Sequence, residues 1–229
     1  MIDFHSHILP KMDDGSRSVE ESVAMLELLA KQGIDTVVAT PHFYANDESV
    51  SDFIIRRNSS LEKLKVSFTS QMPEILLGAE IKYYEGISHL ENLDKLCVQN
   101  SNILLLEMPF KRWTEYLIRE LVDISCSGKY VPVIAHVERY MKFQQRDVIE
   151  YLLNEGVLFQ INSSFVYEIF TKRKALGLLK NRAVHFLGSD CHNMSERLPD
   201  IGKAYEIINK KLGRKFTEDF NCYVNNFLK

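Results

Sequence analysis

The stretch NILLLEMPFKRWTEYLIRELVDISCSGKYVPVIAH (residues 102–136) contains a complete strand–helix–strand unit and decides the fold class. Its two ends are short, continuous apolar runs, which are typical of parallel strands buried on both faces. Between them, residues 113–128 predict a helix that ends at Gly128. Each predicted strand ends in a residue that can bind a metal, Glu107 in the first and His136 in the second.

The same alternation runs along the chain. Strands are predicted at residues 1–4, 34–40, 74–81, 102–108, 131–136, 157–162 and 183–190, and helices at 18–33, 47–68, 88–96, 113–128, 146–156, 165–180, 200–212 and 216–228. Alternating strands and helices favour either a (β/α) barrel or a doubly wound sheet. Seven units rather than eight indicate an irregular barrel. We expect residues 1–229 to form a single domain.

Composition narrows the class of protein. A net charge of −3 without a basic patch argues against a nucleic-acid-binding surface. The four cysteines lack the spacing of a zinc or redox motif, which predicts free thiols and a cytoplasmic location. No stretch approaches the ~20 apolar residues of a membrane span. We therefore expect no direct membrane insertion, while attachment through a partner remains open.

Polar residues cluster where the predicted strands end. They are His5, His7, His42, Glu80, Glu107, His136, Asn162, Asp190 and His192. In a barrel, the carboxyl ends of all strands lie on one face, where enzymes of this architecture have their active sites. Asp13 and Asp14 follow the first strand, and they either form an Asp-Gly turn or join this set. His89 and His185 do not lie at strand ends, so we assign them structural roles.

Imidazole and carboxylate ligands together suit manganese, iron and zinc. The set is larger than the four ligands of one tetrahedral zinc, so two or three ions with Glu80 as a bridge fit better. Any one of these residues alone has an ordinary structural explanation. Burying all of them without compensation would cost several kcal/mol each. Closely spaced metals activate water near neutral pH, which predicts hydrolysis of a phosphate ester.

The motifs DFHSHILPKMDDGS, TPHF, GAEIKYY, VIAHVERY, INSSF and GSDCHN resemble the polymerase-and-histidinol-phosphatase (PHP) superfamily. Over residues 1 to about 200, their order and spacing are similar to those of the CpsB/CapC type, the manganese-dependent protein tyrosine phosphatases of capsule and exopolysaccharide operons. The resemblance implies a distorted (β/α)7, TIM-like barrel of the PHP type with a trinuclear metal centre.

The resemblance also implies a ligand set of nine residues. One ion would be held by His5, His7, Glu80 and Asp190, a second by Glu80, His42 and His136, and a third by Asp14, Glu107 and His192. Manganese is the expected ion, with iron, zinc or cobalt as alternatives. Arg139 and Arg197 match arginines that hold the phosphate, a role that suits their planar guanidinium groups. A metal-bridging hydroxide would attack phosphorus and release tyrosine.

Aromatic residues near the ligands are candidates for contact with the substrate ring, namely Phe43, Tyr83 and Tyr84. The resemblance implies that the substrate is the tyrosine-phosphorylated tail of an autokinase that controls polysaccharide synthesis. A homo-oligomer is compatible with the sequence.

Three alternatives stay open. The segment CHNMSER also fits C-x5-R, the spacing of thiol-dependent phosphatases, with Cys191 as nucleophile and Arg197 as the phosphate ligand. The same metal centre also suits a small-molecule phosphoesterase such as a histidinol phosphatase. Finally, the chain could be a non-catalytic binding module that regulates polysaccharide assembly.

Overall fold

A computed structural model describes residues 1–228 and shows a parallel α/β fold. The strands are β1 (Ile2–Ser6), β2 (Thr36–Ala39), β3 (His42–Phe43), β4 (Glu74–Leu77), β5 (Glu80–Lys82), β6 (Ile103–Glu107), β7 (Val131–Ile134), β8 (Leu158–Asn162) and β9 (Phe186–Gly188). The α-helices are α1 (Val19–Lys31), α2 (Val50–Lys65), α3 (Glu115–Cys126), α4 (Arg146–Asn154), α5 (Ser163–Tyr167), α6 (Lys172–Lys180), α7 (Ile201–Leu212) and α8 (Arg214–Phe227).

The strands form a three-stranded sheet in the order β1-β2-β4 and a six-stranded sheet in the order β3-β5-β6-β7-β8-β9. The strand predicted at 34–40 corresponds to β2 and is followed, after Pro41, by the short strand β3, which was not predicted; Pro41 has no N–H to donate. The strand predicted at 74–81 is divided into β4 and β5 by Gly78 and Ala79. In both places the two consecutive strands lie in different sheets. Counting each such pair once leaves the seven strand positions predicted from the sequence.

The two sheets meet along β1 and β9, where the backbone closes the barrel. The amide N–H of Asp190 donates to the carbonyl of His5 at 2.8 Å, and that of His7 donates to the carbonyl of Cys191 at 2.9 Å. Ser6 and Cys191 form a parallel bridge. The expected distorted seven-stranded barrel is thereby confirmed, with the carboxyl ends of all strands at one mouth.

The barrel interior below the mouth is filled by an apolar cluster. This interior apolar layer comprises Ile2, Phe4, Val38, Leu76, Val98, Ile103, Leu105, Val133, Ala135, Phe186 and Val224. The rings of Phe4 and Phe186 stack with their centroids 4.0 Å apart. Helix α8 closes the end opposite the mouth, since it supplies Val224 to the layer and places Phe227 5.5 Å from Phe186.

Two helix predictions need correction. The helix predicted at 88–96 is instead two 3-10 turns, Ile87–His89 and Leu93–Leu96, because Gly86 and Asn92 adopt left-handed conformations before them. The helix predicted at 165–180 is divided into α5 and α6, since the backbone of Glu168 is extended. Within residues 1–228, no helix combines the length and apolar character needed to cross a membrane.

Candidate metal centre

A β-bulge in β1 directs the first two histidines into the mouth. Asp3 pairs with Val37 but Ser6 pairs with Ala39, so β1 carries one extra residue between these pairs. Phe4 lies in the interior apolar layer, yet the next residue, His5, already belongs to the polar mouth. Bulges are common beside active sites because they change where a side chain points.

Glu80 lies at the centre of the mouth and is 1% exposed. Its Oε2 lies 3.2 Å from His5 Nε2, 3.3 Å from His7 Nε2 and 3.1 Å from His42 Nδ1. Its Oε1 lies 2.8 Å from His136 Nε2. Burial alone would raise the pKa of Glu80, but the surrounding imidazoles hold it well below its usual range. Glu80 is therefore a buried anion in contact with four imidazoles.

Asp190 is the second buried carboxylate of the mouth. Its Oδ1 lies 3.7 Å from His5 Nε2 and 3.5 Å from His7 Nε2. Arg139 Nη2 donates to Oδ2 at 2.6 Å, and Arg197 Nη2 pairs with Oδ1 at 2.6 Å. Burial opposes ionisation, yet His5, His7 and Arg139 lower the pKa of Asp190. Asp190 thus links the histidines to both predicted phosphate-binding arginines.

Asp14 lies at the outer edge of the mouth, where its side chain is 65% exposed. Its Oδ1 is 3.6 Å from His42 Nε2 and 3.4 Å from His192 Nε2. This carboxylate completes a third group of donor atoms on the solvent side of Glu80.

Three imidazoles are oriented by hydrogen bonds from their outer ring nitrogens. His7 Nδ1 lies 2.7 Å from Asp13 Oδ2, His5 Nδ1 lies 3.2 Å from Gln160 Oε1, and His192 Nδ1 lies 2.9 Å from the carbonyl of Asp190. Because all three partners are acceptors, we assign a proton to each Nδ1, and Nε2 of each ring faces the mouth. Histidines that bind metals are typically held in this way.

Buried histidine nitrogens without hydrogen-bond partners test whether these residues fit a metal ion. Among residues 1–228, His42 Nδ1 and His192 Nε2 are buried and have no hydrogen-bond partner, although carboxylate oxygens lie 3.1 Å and 3.4 Å away. Burial lowers the pKa of His42, and burial together with His7 and Arg197 lowers that of His192 to about 4. Both rings are therefore held neutral, which is the form that binds a metal. The residues fit a cluster of divalent cations.

The donor atoms fall into three groups in which every atom lies within 4.8 Å of the others. The groups are His5, His7 and Asp190; His42, Glu80 and Glu107; and His7, Asp14, His42 and His192. All nine residues predicted as ligands thus lie in the mouth, since His136 contacts Glu80. Their grouping differs for Glu107, which was predicted beside Asp14 and His192. It lies instead beside Glu80, because β6 pairs with β5.

Phe43 and Tyr83 do not line the mouth, which corrects their predicted contact with the substrate ring. Phe43 is fully buried and packs edge-on against Phe53 at 5.2 Å, because alternate residues of a strand point to opposite faces and His42 takes the mouth side. The Tyr83 hydroxyl donates to Glu120 Oε2 at 2.7 Å. Tyr44 lies nearer the mouth, with its ring 5.4 Å from that of His42.

Two supporting residues were not predicted from the sequence. Gln160 Oε1 accepts from the His136 amide at 2.6 Å, and its Nε2 donates to Asn162 Oδ1 at 2.9 Å. Lys82 Nζ donates to Glu107 Oε2 at 2.9 Å. A signal for Gln160 was present in the apolar run VLFQIN, where it lies two residues before Asn162 and hence on the same strand face.

Cys191 is unsuited to act as a nucleophile. It is fully buried, and burial together with Asp3 raises the pKa of its thiol well above the usual range. Thiol-dependent phosphatases need an accessible thiolate. The C-x5-R spacing therefore does not form a thiol-dependent active site. Arg197 pairs with Asp190 rather than facing an accessible thiolate.

Comparison with known proteins places this geometry in a family. A family described as "Capsular polysaccharide synthesis, CpsB/CapC" matches residues 1–227. The tyrosine-protein phosphatase CpsB of Streptococcus agalactiae is 30% identical over 225 residues, which cover 94% of this chain and 92% of CpsB. The tyrosine-protein phosphatase YwqE of Bacillus subtilis is 32% identical over 223 residues, covering 93% of this chain and 85% of YwqE.

Solved structures agree with the sequence comparisons. One comes from the crystal structures of YwqE from Bacillus subtilis and CpsB from Streptococcus pneumoniae, described as "unique metal-dependent tyrosine phosphatases". It matches with a TM-score of 0.80 and 29% identity, covering 100% of this chain and 94% of the other. A D-hydantoinase matches at a TM-score of 0.53 with 11% identity, which reflects the fold alone. The chain belongs to the CpsB/CapC family of capsular polysaccharide synthesis proteins.

Proposed function

We propose that this chain is a metal-dependent protein tyrosine phosphatase that acts in capsule or exopolysaccharide synthesis. The observation that carries the proposal is the convergence of four imidazoles on the buried, ionised carboxylate of Glu80. The activities named for the CpsB and YwqE relatives support the same conclusion.

The nine proposed ligands are His5, His7, Asp14, His42, Glu80, Glu107, His136, Asp190 and His192. They would hold two or three divalent cations. We expect manganese from the resemblance to the CpsB/CapC type, while the mixed nitrogen and oxygen set is also compatible with iron, zinc or cobalt. Such ions supply a nucleophile derived from water near neutral pH and neutralise charge on a phosphoryl group.

The arginines are proposed to bind the phosphate. Arg139 and Arg197 each direct one Nη2 at Asp190, which fixes both guanidinium groups at the mouth. Their side chains remain 37% and 38% exposed, so other N–H donors of each fork are available to a phosphate dianion. Bidentate contacts of this kind orient the ester for displacement of the tyrosine oxygen.

Tyr44 is proposed as an additional donor at the rim. Burial, together with Glu107 and Asp14, raises the pKa of its hydroxyl to about 12, so it stays protonated near neutral pH. A hydroxyl at this position can donate a hydrogen bond to a phosphate oxygen or to the departing tyrosine.

We further propose that residues 1–229 act as one domain, since strands from Ile2 to Gly188 build one barrel and α8 closes it. The substrate would be the tyrosine-phosphorylated tail of an autokinase. A cytoplasmic location is supported by the four free cysteines.

The proposal is tested by measuring hydrolysis of a phosphotyrosine peptide after chelation and after return of single metals. We expect activity to disappear on chelation and to return best with Mn²⁺. Full activity in demetallated protein would contradict the metal mechanism, and faster turnover of histidinol phosphate would favour a small-molecule phosphatase. Normal metal binding without hydrolysis of any phosphoester would favour a binding module.

A further inference from the structure

Exposed cations are concentrated on one side of the mouth. The loop after β6 carries Lys111 and Arg112, the loop after β7 carries Lys142, and the first turn of α6, which follows β8 and α5, carries Arg173 and Lys174. We call these five residues the basic rim. None of them has a carboxylate within ion-pair distance among residues 1–228. Their charges are therefore available to a ligand.

Cations on the outer helices provide a contrast. Arg119 pairs with Glu115 on α3, and Arg146 pairs with Glu150 on α4. Such pairs four residues apart are the usual arrangement on a solvated helix. The basic rim lacks this local compensation, although its loops adjoin the same helices.

The three segments of the basic rim lie side by side because β6, β7 and β8 are neighbours in the sheet. Gln144 joins the first two segments: its Oε1 accepts from the Trp113 amide at 3.0 Å, and its Nε2 donates to the Lys111 carbonyl at 2.8 Å. Gln144 also lines a cleft between α4 and α6 together with Met141 and Lys174. This cleft, which is also lined by the paired Arg146 and Glu150, therefore connects the three segments of the basic rim.

An exposed aromatic residue connects this surface to the candidate metal centre. Phe110 is 48% exposed, and its ring lies 5.1 Å from that of Tyr140. The Tyr140 ring lies 5.6 Å from that of the proposed ligand His136. A chain bound along the basic rim would thus pass Phe110 as it enters the mouth.

The opposite side of the mouth carries charges of both signs. Exposed carboxylates follow β3, β5 and β9, at Asp47, Glu85 and Glu196, while Lys82 and Arg197 lie on the same side. A negatively charged polypeptide therefore meets unpaired cations mainly at the basic rim. Complementary potentials of this kind select and orient binding partners.

We infer that the basic rim binds acidic residues flanking the phosphotyrosine of the protein substrate, while Phe110 contacts an apolar or aromatic side chain beside it. This inference rests on the proposed phosphatase function and adds a preference for acidic sequence. A polypeptide is favoured as occupant because the surface is continuous with the mouth where Arg139 would hold the phosphate.

The test compares two phosphotyrosine peptides of equal length, one with Asp and Glu flanks and one with Ala and Ser flanks, in the metal-loaded enzyme. We expect kcat/KM to be about 10-fold higher for the acidic peptide at low salt, and this preference to fall as salt screens the charges. The double variant K111E/R112E should lose most of the preference. The matched double variant K210E/K211E, on α7 and with the same change of charge, should retain it.

Equal kcat/KM for the two peptides in the unaltered enzyme would overturn the inference while leaving the phosphatase function intact. An equal loss on both peptides in K111E/R112E would also overturn it, because that result indicates damage to the mouth. Absence of hydrolysis with either peptide would contradict the proposed function itself. Because Phe170, three residues before Arg173, is 98% exposed, binding of the protein to anionic phosphatidylserine vesicles should also be measured. Binding to vesicles without a peptide preference would assign the surface to a membrane instead.

Discussion

The strands of this barrel carry two interior layers of opposite chemistry. In the interior apolar layer, Phe4 and Phe186 stack without a polar group between them. One layer higher, on the same strands, His5 and Glu80 are as deeply buried but are surrounded by titratable groups. The first layer lowers the free energy of the folded state through removal of apolar surface from water. In the polar layer, the charged groups lose their hydration, and only their attraction to neighbouring groups of opposite charge offsets that loss.

The apolar layer therefore serves mainly stability and the mouth serves mainly function, although neighbouring residues of one strand belong to both. Residues other than glycine with positive φ include two proposed ligands, but they also occur elsewhere, at Lys11, Asn92, Asn100 and Arg182. His136 and Asp190 have φ of 33° and 54°, in the left-handed region that residues with side chains rarely adopt. Both positions belong to the mouth, and strain of this kind concentrates at functional sites. If the division holds, substitutions can disturb either layer without the other.

Glu80→Gln should give the largest effect. The substitution keeps the shape of the side chain but removes the anion that four imidazoles share. We expect hydrolysis of a phosphotyrosine peptide to fall by at least about 10³-fold, or about 4 kcal/mol, because the cations would lose their bridge. Steady-state kinetics at saturating Mn²⁺ measures this.

Glu120→Gln is the matched control for that variant. Glu120 is also a buried carboxylate, but it binds Tyr83 and Ser88 outside the mouth. We expect the control to lose thermal stability and to keep its activity per folded molecule. Comparable loss of activity in both variants would mean that burial of any carboxylate, rather than its position, determines turnover.

Phe4→Ala tests the other layer. Removing this fully buried ring should lower the free energy of unfolding by about 3 kcal/mol, through lost burial and a cavity beside Phe186. Urea denaturation measures the change. Activity per folded molecule should stay within a few-fold of the unaltered enzyme. A collapse of activity in fully folded protein would show that the two layers are mechanically coupled.

Gly188→Ala tests the boundary between the layers. A Cβ atom at this position would lie 2.5 Å from His5 Cβ and 3.0 Å from Gln160 Nε2. We expect displacement of the His5 ring to lower activity by about 10- to 100-fold, which is typical for disturbed supports of metal ligands. Gly177→Ala on α6 has open space around its Cβ and should leave activity unchanged. Identical activity in the two variants would contradict the role given to Gly188.

Periodicity predicted the repeating architecture well, because buried parallel strands produce apolar runs that can be recognised one at a time. The ligand positions followed from the ends of those runs. The bulge in β1 was not predictable, since it depends on pairing with a strand more than 30 residues away. The predicted contact of Phe43 and Tyr83 with the substrate ring was wrong for a different reason. It relied on proximity in sequence to His42 and Glu80, although the residue directly after a ligand in a strand points to the opposite face.

His7 is fully buried and His185 is partly buried, and the two histidines differ in their surroundings. Burial alone would lower the pKa of His7, yet Asp13 and Glu80 raise it to about 10. His185 has no such carboxylates, and burial lowers its pKa to about 4. Its Nδ1 accepts a hydrogen bond from the Phe159 amide at 3.2 Å. The pKa of His185 therefore shows the effect of burial where no neighbouring carboxylate opposes it.

Because the pKa of His185 in the folded state lies below the unfolded value of 6.5, the unfolded chain binds a proton more readily as pH falls. Its stabilising contribution is complete above pH 6.5 and declines as pH drops toward 4. His185→Asn keeps an acceptor for the amide but does not titrate, so between pH 7.5 and pH 5 it should lose about 2 kcal/mol less stability than the unaltered protein. Urea titrations at both pH values measure this difference, with the exposed His89→Asn variant as control. Parallel pH dependences in all three proteins would mean that His185 is hydrated in solution, and that only the mouth perturbs its histidines.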